Sequence, residues 1–338
     1  MEPGRIATEA RVRVRIEHAL LERLAQDAGV ALTVAQYTLP EPQAVRRQLL
    51  GRAVRLTEAM APKAIAAAVE IRDAFGLTSP VEIYQSAGRE NAAMHLLREP
   101  ILMEIQGRLL SLLDDGALRA VIGHELGHFI AHGPDSPHAQ VSALATSLAI
   151  AEDVPEELAL IASTLSMARE LTADRYALLA TRDLDALLRL EMVATTGLPA
   201  EDLGGDTAGY LAQCRELVEA CLADGGSAQG ITHPEHGVRA WAAWLFSETG
   251  LYRELTGCGP GIRELDEVDA LIERVLRRPG LDGAFQYLEP PPAELHELAL
   301  AAAVLVSMAD DSLSDEEAEV LERTFASLVP DWRRLLDP

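Results

Sequence analysis

A chain of 338 residues with 49% hydrophobic and 24% charged side chains has the composition of a folded protein of about two domains. A disordered, fibrous or collagen-like chain is excluded. The formal charge of −24 opposes nucleic acid and anionic lipid headgroups as partners. The cysteines, Cys214, Cys221 and Cys258, are odd in number and form no C-x-x-C pair. They read as thiols of a reducing compartment, not as a disulfide framework.

The first thirty residues mix arginine and glutamate without an apolar signal core. No stretch reaches the ~20 apolar residues of a membrane span, so a soluble, cytoplasmic protein is expected. Residues 10–28 and 43–75 carry apolar side chains at helical spacing and end near Gly29 and Gly76. Strand patterns follow at 81–84, 92–97 and 101–105, which predicts a small antiparallel sheet. A helix is predicted from Asp114-Asp115 to the stop at Gly133-Pro134. Another opens near Pro155 and runs past Ala180. The apolar interval 141–168 is interrupted by Glu152, Asp153, Glu156 and Glu157, as in a buried helical hairpin. From 261 to 338 there are 18 acidic residues against 7 arginines, and Pro290-Pro291-Pro292 breaks that segment. The predicted class is α+β and predominantly helical. The predicted units are 1–255, with a helical N-terminal segment, and a small all-α unit at 256–338.

His124-Glu125-Leu126-Gly127-His128 is an H-E-x-x-H pattern on a predicted helix. Residues i and i+4 share a face, so both imidazoles can reach one Zn²⁺. Glu125 is turned about 100° from His124, beside the metal and not on it, where a carboxylate can act as general base. A catalytic zinc needs a third protein ligand and an open fourth position. Glu170 is the candidate ligand, and Asp174, one turn on, can accept the free N–H of a zinc-bound histidine. His132 extends the 124, 128 stripe by about 6 Å along the helix axis, too far for the same ion. It is expected to be a cation at the helix C-terminus. His138 and His236 read as ordinary loop histidines.

Together these motifs resemble the HtpX and CAAX prenyl protease family of gluzincin metallopeptidases. Three further stretches resemble it: Glu90-Asn91-Ala92 before the 101–105 strand, Gly107-Arg108-Leu109-Leu110 with 118–122, and Thr232-His233-Pro234 with Arg239. The resemblance covers about residues 40–245. It implies a zinc endopeptidase with His124, His128 and Glu170 as ligands of one catalytic Zn²⁺ and Glu125 as general base. It also implies that His233 either donates to the oxyanion or caps the open metal position in a latent state. Asn91 and Ala92 would bind substrate main chain at the sheet edge. Arg239 would hold substrate, the nearby loop or a carboxylate. Members embedded in membranes carry spanning helices where this chain has 141–168.

Residues 295–325 resemble the TerB-like helical module of tellurite resistance, with Met308-Ala309-Asp310-Asp311 and 313–317 carrying the likeness. A regulatory or docking unit follows from that resemblance, although Ser314 and Glu317 also form an ordinary capping box. The expectation is a soluble zinc endopeptidase acting on protein or peptide substrates. The C-terminal unit would engage a protein partner. The alternative is a latent or inactive peptidase-fold scaffold whose TerB-like unit recruits that partner.

Overall fold

The computed structural model of the chain describes residues 9–36, 40–136, 138–151, 154–223 and 232–277. After a short turn at Ala10–Val12, the helix expected at 10–28 is α1 (Arg15–Ala25), and a further helix, α2 (Ala28–Gln36), begins where that run was expected to end. The single periodic run expected at 43–75 is divided, into α3 (Pro42–Arg52) and α4 (Pro62–Ala74). Pro62 lacks an N–H and sits in the first turn of α4, so it opens a helix and does not continue one. Between the two, β1 (Val54–Arg55) joins a sheet with β2 (Val81–Ser86), β3 (Asn91–His95) and β4 (Ile101–Gln106).

The strand order is β1-β2-β4-β3. β1 and β2 are antiparallel, and so are β3 and β4, but β2 and β4 run parallel, from Val81 opposite Ile101 to Ser86 opposite Gln106. The sheet is therefore mixed, not the antiparallel one the strand patterns suggested. Burial accounts for the order. Ile101 to Ile105 are buried throughout β4, as a central strand requires, whereas β3 is only partly buried and takes the edge. Glu104 on β4 is satisfied by Arg52 at 2.5 and 2.7 Å and by the Ser86 hydroxyl at 2.6 Å. These partners outweigh the effect of burial and hold its carboxyl down at about 2.

The remaining described helices are α5 (Leu109–Leu112), α6 (Asp115–His132), α7 (Ala139–Ile150), α8 (Glu156–Thr181), α9 (Leu184–Thr196), α10 (Thr207–Ala223), α11 (His236–Ser247), α12 (Gly250–Thr256) and α13 (Leu265–Leu276). α7 and α8 form the expected hairpin. Among the described residues no helix is long and apolar enough to cross a membrane. α13 lies beyond the expected boundary at 255/256, yet Val268, Ile272, Val275 and Leu276 are buried in one core with α8 and α11 residues. The residues that resemble the TerB-like module lie outside the described residues.

α6 and α8 pack closely because the facing residues are small. A Cβ at Gly127 would meet the Tyr176 Cβ at 2.7 Å and the Ala173 carbonyl at 3.0 Å, and one at Gly123 would meet the Ala177 Cα at 3.0 Å. That approach brings the histidines of α6 within reach of the carboxylates of α8. Gly127→Ala should therefore lower stability by up to about 2 kcal/mol, because clashes this close put the overpacking cost in the upper part of the usual ~1–3 kcal/mol, above the ~1 kcal/mol gained in helix propensity. It should also weaken metal binding. A thermal midpoint equal to or above that of the wild type would contradict this packing account.

The N-terminal segment is tied to the back of α6 and α8. Arg13 donates to the Ala131 carbonyl and to Ser136 Oγ. The Val14 N–H donates to Thr172 Oγ1 at 3.1 Å, and the Thr172 hydroxyl in turn donates to the buried Glu17. Arg175, fully buried on α8, reaches the Val12 carbonyl at 3.3 Å and Asp269 of α13 at 2.5 Å.

Candidate metal centre

Asp114 caps α6 by accepting the Ala117 N–H at 2.7 Å, and the helix then runs unbroken through His124 and His128. Both imidazoles point at Glu170 on α8. The His124 Nε2 and His128 Nε2 atoms are 3.1 Å apart. Glu170 Oε2 is 3.3 Å from His124 Nε2, and Glu170 Oε1 is 3.3 Å from His128 Nε2. A tetrahedral zinc with bonds of ~2.0–2.1 Å has ligand–ligand edges of about 3.3 Å. Among the described residues this is the group of three that converges closely enough to hold a metal ion. Two imidazoles and one carboxylate suit zinc, and three protein ligands leave a fourth position for water or substrate.

The electrostatics favour a cation here. Burial and Arg239 oppose charge on His124, but Asp174 and Glu170 outweigh them and push its pKa up to about 10. Burial alone would raise Glu170, yet the two imidazoles hold its carboxyl well below the usual range. Burial lowers His128.

Asp174 sits where a zinc-bound histidine needs a partner. Its Oδ1 is 2.8 Å from His124 Nδ1, which fixes the tautomer that leaves Nε2 for the metal. Arg239 is not turned towards solvent. It is buried, and it forks onto Asp174 through Nε at 2.9 Å and Nη2 at 2.6 Å. Its Nη2 also lies 3.2 Å from Glu191 Oε1, and Glu191 Oε2 lies 2.6 Å from His236 Nδ1. A buried polar chain thus runs from His124 through Asp174, Arg239 and Glu191 to His236. Glu191 had no motif to mark it. The spacing of three between His233 and His236 was visible, but no sequence signal paired His236 with a carboxylate 45 residues earlier.

A cavity of about 1020 Å³ opens onto the cluster. Asn91 and Ala92 of the edge strand β3 line it, and so do His233 and His236. Glu125 also lines it. Burial, reinforced by Glu170, raises its pKa to about 7 despite the opposing effect of His124. His233 is exposed, with Nε2 3.6 Å from Glu170 Oε1 and Nδ1 2.8 Å from Thr232 Oγ1.

His132 is not the helix-end cation that its position suggested. It is buried, and burial together with Arg169 pushes its imidazole well below the ordinary histidine value. Arg13 fills the helix-end role instead, through the Ala131 carbonyl.

Residues 77–243 match the profile of peptidase family M48. The matched segment runs from just before β2 to the middle of α11 and contains every member of the cluster and of the polar chain. The match supports assignment to the M48 metallopeptidases. No curated protein and no solved structure matches the chain.

Proposed function

We propose that this chain is a zinc-dependent endopeptidase, starting from the match to a metallopeptidase family and carried by one observation: the convergence of His124, His128 and Glu170 beside a buried Glu125. Zn²⁺ bound by those three residues would supply Lewis acidity to the attacking water and to the scissile carbonyl. The chain's own residues do the rest. Glu125 takes the proton that the water gives up as it attacks, and returns it to the leaving nitrogen. Asp174 holds the His124 tautomer, and Arg239 holds Asp174. An extended peptide pairs with the free edge of β3 at Asn91 and Ala92. His233 donates to the oxyanion, where a preorganised donor is worth about 3 kcal/mol. In this reading the acidic C-terminal unit expected at 256–338 engages a protein partner.

Cleavage of denatured casein by the purified chain, lost on adding 1,10-phenanthroline and restored by zinc, is the direct test. Chelation should also lower the thermal midpoint by about 6 °C. An ion held at a thousand times its Kd contributes ~4 kcal/mol, and each kcal/mol moves the midpoint of a chain this size by ~1–2 °C. A midpoint indifferent to chelator and to added zinc would contradict the metal centre. His233 favours a second reading. With its imidazole 3.6 Å from a ligand carboxylate, it can occupy the open position, and the chain would then be a latent peptidase or a scaffold. His233→Ala should raise cleavage under that reading and lower it under the first.

A further inference from the structure

We infer that His236, locked by Glu191, is a substrate-contacting residue that accepts a main-chain N–H from a bound extended peptide. The inference rests on the peptidase reading and adds a residue to it.

His236 is the first residue of α11 and lines the cavity. Its Nδ1 lies 2.6 Å from Glu191 Oε2. A carboxylate that only accepts hydrogen bonds fixes the proton on Nδ1 and leaves Nε2 with a lone pair. Glu191 cannot drift, because it is 1% exposed and its other oxygen faces Arg239 at 3.2 Å. His233, by contrast, is 64% exposed and is held by the hydroxyl of its neighbour Thr232. Of the two cavity histidines, His236 is therefore the one with a built orientation.

An extended chain has backbone N–H and C=O groups on both edges. A peptide paired with β3 satisfies one edge there. The other edge is left to the rest of the cavity lining, where unpaired N–H groups would be desolvated at a cost. His236 belongs to that lining, and a fixed Nε2 lone pair is the acceptor such an N–H requires.

Substitutions that imitate one nitrogen at a time give the test. The amide nitrogen of asparagine stands where Nδ1 does, so His236→Asn keeps the bond to Glu191 and removes Nε2. Metal-loaded Glu125→Gln protein, which should bind peptide without cutting it, is the parent. The probe is a fluorescein-labelled casein peptide read by anisotropy, with zinc content measured in parallel. His236→Asn should weaken peptide binding about tenfold, equivalent to ~1.4 kcal/mol, with zinc content and thermal midpoint unchanged. Glu191→Gln, whose amide can turn its NH₂ to His236 and release the tautomer, should weaken it in the same direction. If His236→Asn binds peptide as tightly as the parent, His236 serves only to satisfy Glu191 and the inference is wrong. If the zinc-loaded parent binds no peptide, the peptidase reading itself fails and the inference falls with it.

Discussion

Glu125→Gln should abolish cleavage and leave the metal in place. Glutamine keeps the shape of the side chain but cannot take up a proton. General acid–base catalysis contributes roughly 10²–10⁴-fold, so turnover should fall by about a thousandfold or more. Zinc content and thermal midpoint should stay near those of the wild type, because Glu125 is beside the ligand cluster and not part of it. Loss of zinc from this variant would show that Glu125 is a ligand, and undiminished cleavage would remove it from the chemistry.

Arg239→Leu should cost about 3–5 kcal/mol of stability, the range for removing one partner of a buried ion pair. The guanidinium is the shared partner of Asp174 and Glu191, which are both 1% exposed. Its loss leaves two buried carboxylates close together with only imidazoles to balance them. The thermal midpoint should drop by about 4–7 °C, at ~1–2 °C per kcal/mol for a chain of this length. Zinc affinity should also fall about 10–100-fold, as for other outer partners of metal ligands, because Asp174 no longer holds the His124 tautomer. Arg239→Lys keeps a charge but not the fork, so it should recover part of the stability and little of the affinity. A midpoint within a degree of the wild type would mean that the His124–Asp174–Arg239 chain carries no weight.

The parts of this site that could be read from sequence are those set by spacing along one helix. His124 and His128 are four apart, and so are Glu170 and Asp174, so each pair falls on one face whatever the rest of the chain does. Capping residues marked the ends of α6 just as plainly. What escaped was tertiary. Gly127 reads as a weak helix residue until Tyr176 and Ala173 are seen against it. Glu191 looks like any helical glutamate, and only the approach of α9 to α11 gives it Arg239 and His236. The strand patterns located β2, β3 and β4 but carried no information on pairing, and the burial of β4 on both sides decides the mixed order. His132 misled because position on a helix says nothing of the packing over it, here Glu17 and Arg169.

The central claim is that His124, His128 and Glu170 hold a metal ion. Zinc content of the purified full-length chain, measured beside Glu170→Ala by elemental analysis after exhaustive dialysis, tests it most directly. The account predicts about one zinc per chain in the wild type, as for a single catalytic site, and almost none in the variant with the fold retained by circular dichroism. Equal zinc in both proteins, or none in the wild type after refolding with zinc present, would contradict it.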